Sequence, residues 1–267
     1  MRLQTGKMVL LATIIVVSWA LNSLTGPCPI RYPPLQKPSI ELPLGSDPIG
    51  RNALCVMARG VWESVEAGLA GMAVSIILLT IALTAGVSPI ADRTIGFTSK
   101  LLAGLPRMGL LLLLALLARP GPLLVGALIG ALAGVQAAQS VASRAKQIAG
   151  TAYVEAARSI GASRARIVLK HMLPNAWSAI ASYASISSAA AVFAEAGLSM
   201  LGLGRAGTPS LGKTVSLVLL TPGAPLTLPG ILQVGAALLG VVGIAAVFYE
   251  VLRLPYETNT GEERVEY

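Results

Sequence analysis

Six runs of apolar residues, several of them close to the ~20 residues that a helix needs to cross the hydrocarbon of a bilayer, divide the chain and commit it to lipid. They lie at about 8–24, 67–87, 105–118, 122–138, 176–196 and 228–251. The third and fourth are the weakest, parted only by the turn Arg119, Pro120 and Gly121. With 12% charged residues, 54% hydrophobic residues and a mean hydropathy of +0.73, an ordinary soluble domain is excluded. Small side chains dominate while aromatics are only 4%, as suits helices that pack closely in a membrane. The expected fold class is all-α, a polytopic membrane bundle of six transmembrane helices.

Because basic loops stay preferentially in the cytoplasm, the twenty Lys and Arg residues orient the bundle. An N-terminus inside leaves thirteen of them inside and seven outside, with both termini cytoplasmic. The net charge of +8 is thereby assigned to topology, and no nucleic-acid partner is expected. Trp62, Trp177 and Tyr249 fall near expected helix ends, where amphipathic rings settle at headgroup depth or serve as scattered core aromatics. Arg2 and Lys7 ahead of the first apolar run also fit a secretory signal. A retained helix, residues 1–25, fits better, since its removal leaves five crossings and termini on opposite faces.

Residues 26–65 then form an extracellular strap. Its prolines, Pro29, Pro33, Pro34, Pro38, Pro43 and Pro48, disfavour a long helix. Cys28 and Cys55 both fall in it, on the side where an oxidised pair persists. A disulfide is the expectation and two free thiols the alternative.

Inside, residues 141–175 are polar and basic yet read as two short helices. Residues 153–160 carry helix formers, Gly161 suits a left-handed C-terminal cap, and Ser163 caps a second helix that ends before Pro174. This hairpin, Tyr153-Val154-Glu155-Ala156-Ala157-Arg158-Ser159-Ile160-Gly161 followed by His171-Met172-Leu173-Pro174-Asn175, resembles the EAA loop of type I ABC import permeases. Glu155, Ala156, Ala157, Gly161, Leu173 and Pro174 stand at the spacing of that loop. His171 replaces the isoleucine of the general pattern, as in the dipeptide, oligopeptide and nickel branch. Leu44-Gly45-Ser46-Asp47-Pro48-Ile49-Gly50-Arg51-Asn52, the run from Glu195 to Gly204, and Ala224-Pro225 with Pro229-Gly230 resemble the same branch. The last helix departs from it, reading Phe248-Tyr249-Glu250-Val251-Leu252-Arg253 where the family closes on polar residues.

The resemblance implies a permease core over 66–253, the C-type subunit, forming half of a pathway for peptides, oligosaccharide or nickel. It implies a coupling helix, with Tyr153, Glu155, Ala156, Ala157, Arg158 and Gly161 seated on an ATPase subunit and Leu173 and Pro174 closing the loop. The implied partners are a second homologous permease subunit, two ATPase subunits that hold ATP and Mg, an extracellular substrate-binding protein and the lipid membrane. No catalysis and no cofactor are expected in this chain. An ATP-independent secondary transporter is the alternative, but charged or broken-helix ion sites at the midplane are not evident.

Gly207 to Thr214 satisfies the phosphate-loop pattern, but no apolar strand precedes it, so a chance match is expected. Gly126, Gly130 and Gly134 share one helix face and suit close packing, within the subunit or against a second one. Glu63, Glu66 and Glu195 lie near helix ends, where solvation at the interface is the expectation and a place along the pathway the alternative. His171, the sole histidine, has no cysteine or carboxylate cluster near it, and no metal site is expected. The tail, 254–267, is short, acidic and expected to be disordered.

Overall fold

A computed structural model describes residues 2–253 as a helical bundle; the acidic tail lies outside the described residues. Ten α-helices occur among them: α1 (Arg2–Thr25), α2 (Ala53–Ala85), α3 (Pro89–Ala103), α4 (Arg107–Ala118), α5 (Pro122–Ala149), α6 (Ala152–Ser159), α7 (Arg164–Ile167), α8 (Leu173–Met200), α9 (Leu211–Leu220) and α10 (Leu228–Arg253). A π-helical turn, Val168–Met172, joins α7 to α8.

Among the described residues, four helices are long and apolar enough to cross a membrane: α2, α5, α8 with its run-in from Ala165, and α10. The expected third crossing is not one helix. Residues 105–118 supply only α4, which follows α3 at a bend of 76°, and the pair makes at most a fifth span. Pro106 sets the break, since it cannot donate to the preceding turn and forces Leu105 away from helical geometry. Asp92, Arg93 and Lys100 concealed α3 in the sequence, although one face of it, Asp92 included, packs on α5. There Ser99 donates to the Val135 carbonyl at 2.6 Å, Gln136 to the Leu102 carbonyl at 2.9 Å, and Lys146 pairs with Asp92 at 2.6 Å. The expected first crossing survives as the apolar stretch Leu11–Leu24 of α1, which is shorter than a span.

Two helices are longer than expected for the same physical reason: charge was read as a boundary where it rides on the helix. α2 begins at Ala53 rather than 67, so the strap ends at Asn52, whose side chain caps the helix by accepting from the amides of Leu54 and Cys55. α5 continues past 138 to Ala149 and carries Arg144 and Lys146 with it.

α2, α5 and α8 form the centre of the bundle. The glycine stripe on α5 faces α2: a Cβ on Gly126 would strike the Ala67 carbonyl, and one on Gly130 would lie 2.5 Å from the Gly71 carbonyl. α8 joins the same seam: a Cβ on Gly71 would meet that of Ala191 of α8 at 2.8 Å and the Gly126 carbonyl of α5 at 3.3 Å. Internal packing therefore accounts for the stripe. Three buried clusters surround this centre: one around Phe248 and Leu211, one around Leu79, Val141 and Ile180, and one around Leu111, Val125 and Leu198.

Gly130→Val is expected to force α2 and α5 apart and cost about 1–3 kcal/mol, lowering the apparent midpoint of thermal unfolding in detergent. Gly197→Ala, whose added Cβ meets nothing within 4 Å, is the matched control and should unfold with the parent.

Candidate functional site

Two ends of the bundle carry most of its polar structure. At one end the strap folds back over the start of α2. Cys28 and Cys55 are joined by a disulfide across a sequence separation of 27. Asp47 accepts from the amides of Ile49 and Arg51 through Oδ1 and pairs with the Arg51 guanidinium through Oδ2 at 2.7 Å. Ser46 donates to the Pro33 carbonyl at 2.5 Å and accepts from the Gln36 amide at 2.8 Å. Gly45 and Gly50 take positive φ at the two turns between these bonds, and a Cβ on either would strike the carbonyl of Gln36 or Tyr32. Gln233 of α10 reaches across to donate to the Ser46 carbonyl at 2.9 Å and the Leu44 carbonyl at 3.3 Å.

Beside the strap lies a polar cluster built on Glu63 and Glu195, which the sequence placed near helix ends without their partners. Glu195, 3% exposed, accepts from Ser199 at 2.7 Å and from Ser64 at 3.4 Å. Glu63, 9% exposed, is hydrogen-bonded with Thr208 and lies within electrostatic reach of Glu195, Lys213 and Arg205. Solvation at an interface therefore does not describe Glu63 or Glu195, which are satisfied inside the protein; Glu66 is half-buried. Lys213 donates through Nζ to the carbonyls of Arg205 and Thr208 and closes the loop between α8 and α9. The phosphate-loop pattern is thereby accounted for. Ser210 caps α9, and what precedes the pattern is helix α8, not a strand.

At the other end stands the hairpin. α6 is closed by a Schellman motif in which the Ala162 amide reaches the Ala157 carbonyl and the Gly161 amide the Arg158 carbonyl, each at 3.0 Å. Gly161 sits at φ +85° with nothing within 4 Å of where a Cβ would be, so conformation rather than space demands glycine. Ser163 caps α7 by accepting from the Arg166 amide at 3.3 Å. Val154 alone turns fully inward, into the cluster formed by Leu79 and Leu83 of α2, Ile148 of α5, and Met172 and Ile180 around the start of α8. Tyr153, Glu155, Ala156 and Arg158 are left exposed, and Ala157 is half-buried. The six residues predicted on α6 and its cap are thus brought to one short, presented element. Leu173 and Pro174 open α8, and Leu173 packs against the cluster that receives Val154. They are connected through Asn175, whose Nδ2 donates to the Tyr153 hydroxyl at 3.2 Å and to the His171 carbonyl at 2.7 Å. Beside the hairpin lies a cavity of about 890 Å³, lined by Arg158, Ala162 and Ile167, by Val168, Leu169 and Met172, and by Thr84 at the end of α2 and Val87 just past it. Among the described residues, no three His, Cys, Asp or Glu side chains converge as metal ligands would.

The sequence reading missed Gln233, Lys213 and Asn175. A signal existed for the first, since a lone amide in an apolar run of membrane length seeks a partner. Lys213 and Asn175 act through loop carbonyls and a tyrosine hydroxyl that spacing does not bring together.

Residues 71–253 match the family model described as the binding-protein-dependent transport system inner membrane component. The chain is 33% identical over 162 residues to the oligopeptide transport system permease protein OppC of Haemophilus influenzae, covering 60% of this chain and 52% of that protein. It is 29% identical over 238 residues to the dipeptide transport system permease protein DppC of Alkalihalophilus pseudofirmus, covering 80% and 74%. Against DppC of Bacillus subtilis it is 33% identical over 174 residues, covering 62% and 53%. Matches to two of these three relatives thus span only about half of the relative's length.

Mass mapping of unreduced peptides is expected to recover Cys28 joined to Cys55. Reduction should lower stability by about 3 kcal/mol, the entropy of a loop of this length. Alkylation of both thiols without reductant would reject the pairing in the native protein.

Proposed function

The chain belongs to the family of binding-protein-dependent transport system inner membrane components, and we propose on that footing that it is the permease subunit of a type I ABC importer for peptides. It forms half of the translocation pathway beside a second, homologous permease subunit. Two ATPase subunits bind ATP and Mg and do the hydrolysis, and an extracellular binding protein delivers the solute. The chain itself catalyses nothing. The hairpin end of the bundle faces the cytoplasm, the strap end faces outward, α1 and the α3–α4 pair complete six crossings, and both termini are inside.

The observation that carries this reading is the construction of α6. It is exposed on the face that bears Glu155 and Ala156, and is fixed from behind by Val154 among residues of α2, α5 and α8. A helix of eight residues has little stability of its own; its place depends on that anchor and on the Schellman closure. Ala156 lets a partner backbone approach closely, while Glu155 offers a charge to a basic groove. When ATP draws the ATPase subunits together, the groove carries α6 with it, and through the shared cluster the spanning helices change which side of the pathway is open. The buried clusters make such a change a switch between discrete packings rather than a gradual bend. The names of the relatives support peptides as cargo.

In the assembled complex, Glu155→Lys and Ala156→Trp are each expected to lower solute-stimulated ATP hydrolysis and uptake at least tenfold, the scale of a coupling energy between sites. Hydrolysis and uptake that both match the parent would remove α6 from the coupling role.

A further inference from the structure

The hairpin enters α8 through a turn of unusual register. In an α-helix each amide reaches the carbonyl four residues back. Pro174 has no amide to give, and its ring crowds the carbonyl of Lys170. Immediately before it the ladder widens: Leu173 bonds to the Val168 carbonyl, and Val168–Met172 winds as a π turn. Such turns are rare and concentrate at functional positions.

A side-chain tie spans this turn. Asn175, one residue beyond the proline, holds the His171 carbonyl at 2.7 Å with the same amide group that reaches the Tyr153 hydroxyl at 3.2 Å. The Tyr153 ring rests on the His171 imidazole, with centroids 5.9 Å apart and planes at 51°. One amide thus connects the presented helix α6 with the π turn and the first turn of a spanning helix. The cavity of about 890 Å³ adjoins the same turn, with Val168, Leu169 and Met172 in its wall. Close-packed interiors do not yield continuously, so an element that swings needs open space beside it, and here the space adjoins the one segment whose hydrogen-bond ladder is already out of register.

We propose that the π turn 168–172 is a hinge and that the Tyr153–Asn175–His171 contact is the tie that makes α8 follow the hairpin. Tyr153 and Asn175 are then positioning residues, which touch neither solute nor nucleotide. The proposal rests on the coupling role of α6 and adds the joint through which displacement leaves it. An exposed hydrogen bond contributes little to stability, because water replaces it. A tie that transmits motion has a different signature, since its loss separates movement of the hairpin from movement of α8.

The test uses the whole complex in nanodiscs with spin labels on Ile186→Cys of α8 and Leu239→Cys of α10, both exposed positions. The two native cysteines of this chain are bonded to each other, so it is labelled alone without reductant, at the introduced thiols only, and then assembled with its partner subunits. Pulsed distance measurements are made with and without ATP and vanadate, alongside ATP hydrolysis. With native Tyr153, Pro174 and Asn175, trapping should shift the 186–239 distance. Asn175→Ala, Tyr153→Phe, which keeps the ring but removes the accepting hydroxyl, and Pro174→Ala, which restores the missing amide, should each cut the shifted population about tenfold. In Asn175→Ala, which lies outside the residues assigned to the ATPase contact and the loop end, hydrolysis should stay within about twofold of the parent. The two exposed variants keep the proposal falsifiable where Pro174→Ala fails to assemble. A full shift in Asn175→Ala and Tyr153→Phe, with Glu155→Lys abolishing it, overturns the hinge and leaves the coupling role standing. An absent shift in the parent, with Glu155→Lys inert, overturns both.

Discussion

In hydrocarbon a helix gains little by touching another apolar helix, because lipid offers the same contact. What holds this bundle is therefore the approach of backbones, and it is closest where Gly126 and Gly130 of α5 lie against the carbonyls of Ala67 and Gly71 of α2. Dispersion between atoms at contact distance is small for each pair and large in sum, and side chains on that seam would remove most of it. The other elements take their positions from it. α8 packs into the same seam through Gly71 and Ala191, α3 is fastened to α5 by Ser99, Gln136 and Lys146, and the hairpin drops Val154 between the ends of α2, α5 and α8.

A bundle so apolar still buries polar groups, and most of those it buries have partners. Glu195 is ringed by serine hydroxyls, Gln233 binds two strap carbonyls, and Lys213 binds two loop carbonyls. Leaving such groups unpaired in lipid is costly, so each fixes the location of the loop that supplies its partner. The strap, which has no regular secondary structure beyond two isolated bridges, is in this way as determined as a helix. Its disulfide, the Asp47 turn and the amide of Gln233 leave it few alternatives.

How much of this was legible in the sequence depended on which signal was asked to mark a boundary. Apolar length located α5, α8 and α10 because those signals are long and repetitive. The turn chemistry of the hairpin was equally legible: Gly161 and Ser163 act locally, and local chemistry does not wait for tertiary context. Charge was the misleading signal. The strap was expected to run to 65, past Arg59 and Glu63, where α2 had already begun, and Asp92, Arg93 and Lys100 lay in an expected connection where α3 packs on α5. A charge ends a membrane helix only if lipid surrounds it. Glu63 and Asp92 each face other protein groups, and no pattern of spacing shows that Glu63 will meet Thr208 or that Asp92 will meet Lys146.

The two ends of the bundle differ in a way that bears on how it can move. At the strap end, chain segments far apart in sequence are cross-linked, Cys28 to Cys55, α10 to the strap through Gln233 and α2 to α8 through Ser64 and Glu195, and Lys213 closes the α8–α9 loop locally. At the hairpin end the Val154 cluster stands beside a cavity, a helix turn in altered register and a tie made by the exposed side chains of Tyr153 and Asn175. A rod clamped at one end and free at the other pivots when pushed, whereas a rod clamped at both ends transmits nothing. On the proposed reading, force enters where the structure is loosest and swings α8 about an end where the structure is most firmly tied, so that a small displacement of α6 becomes a change of tilt.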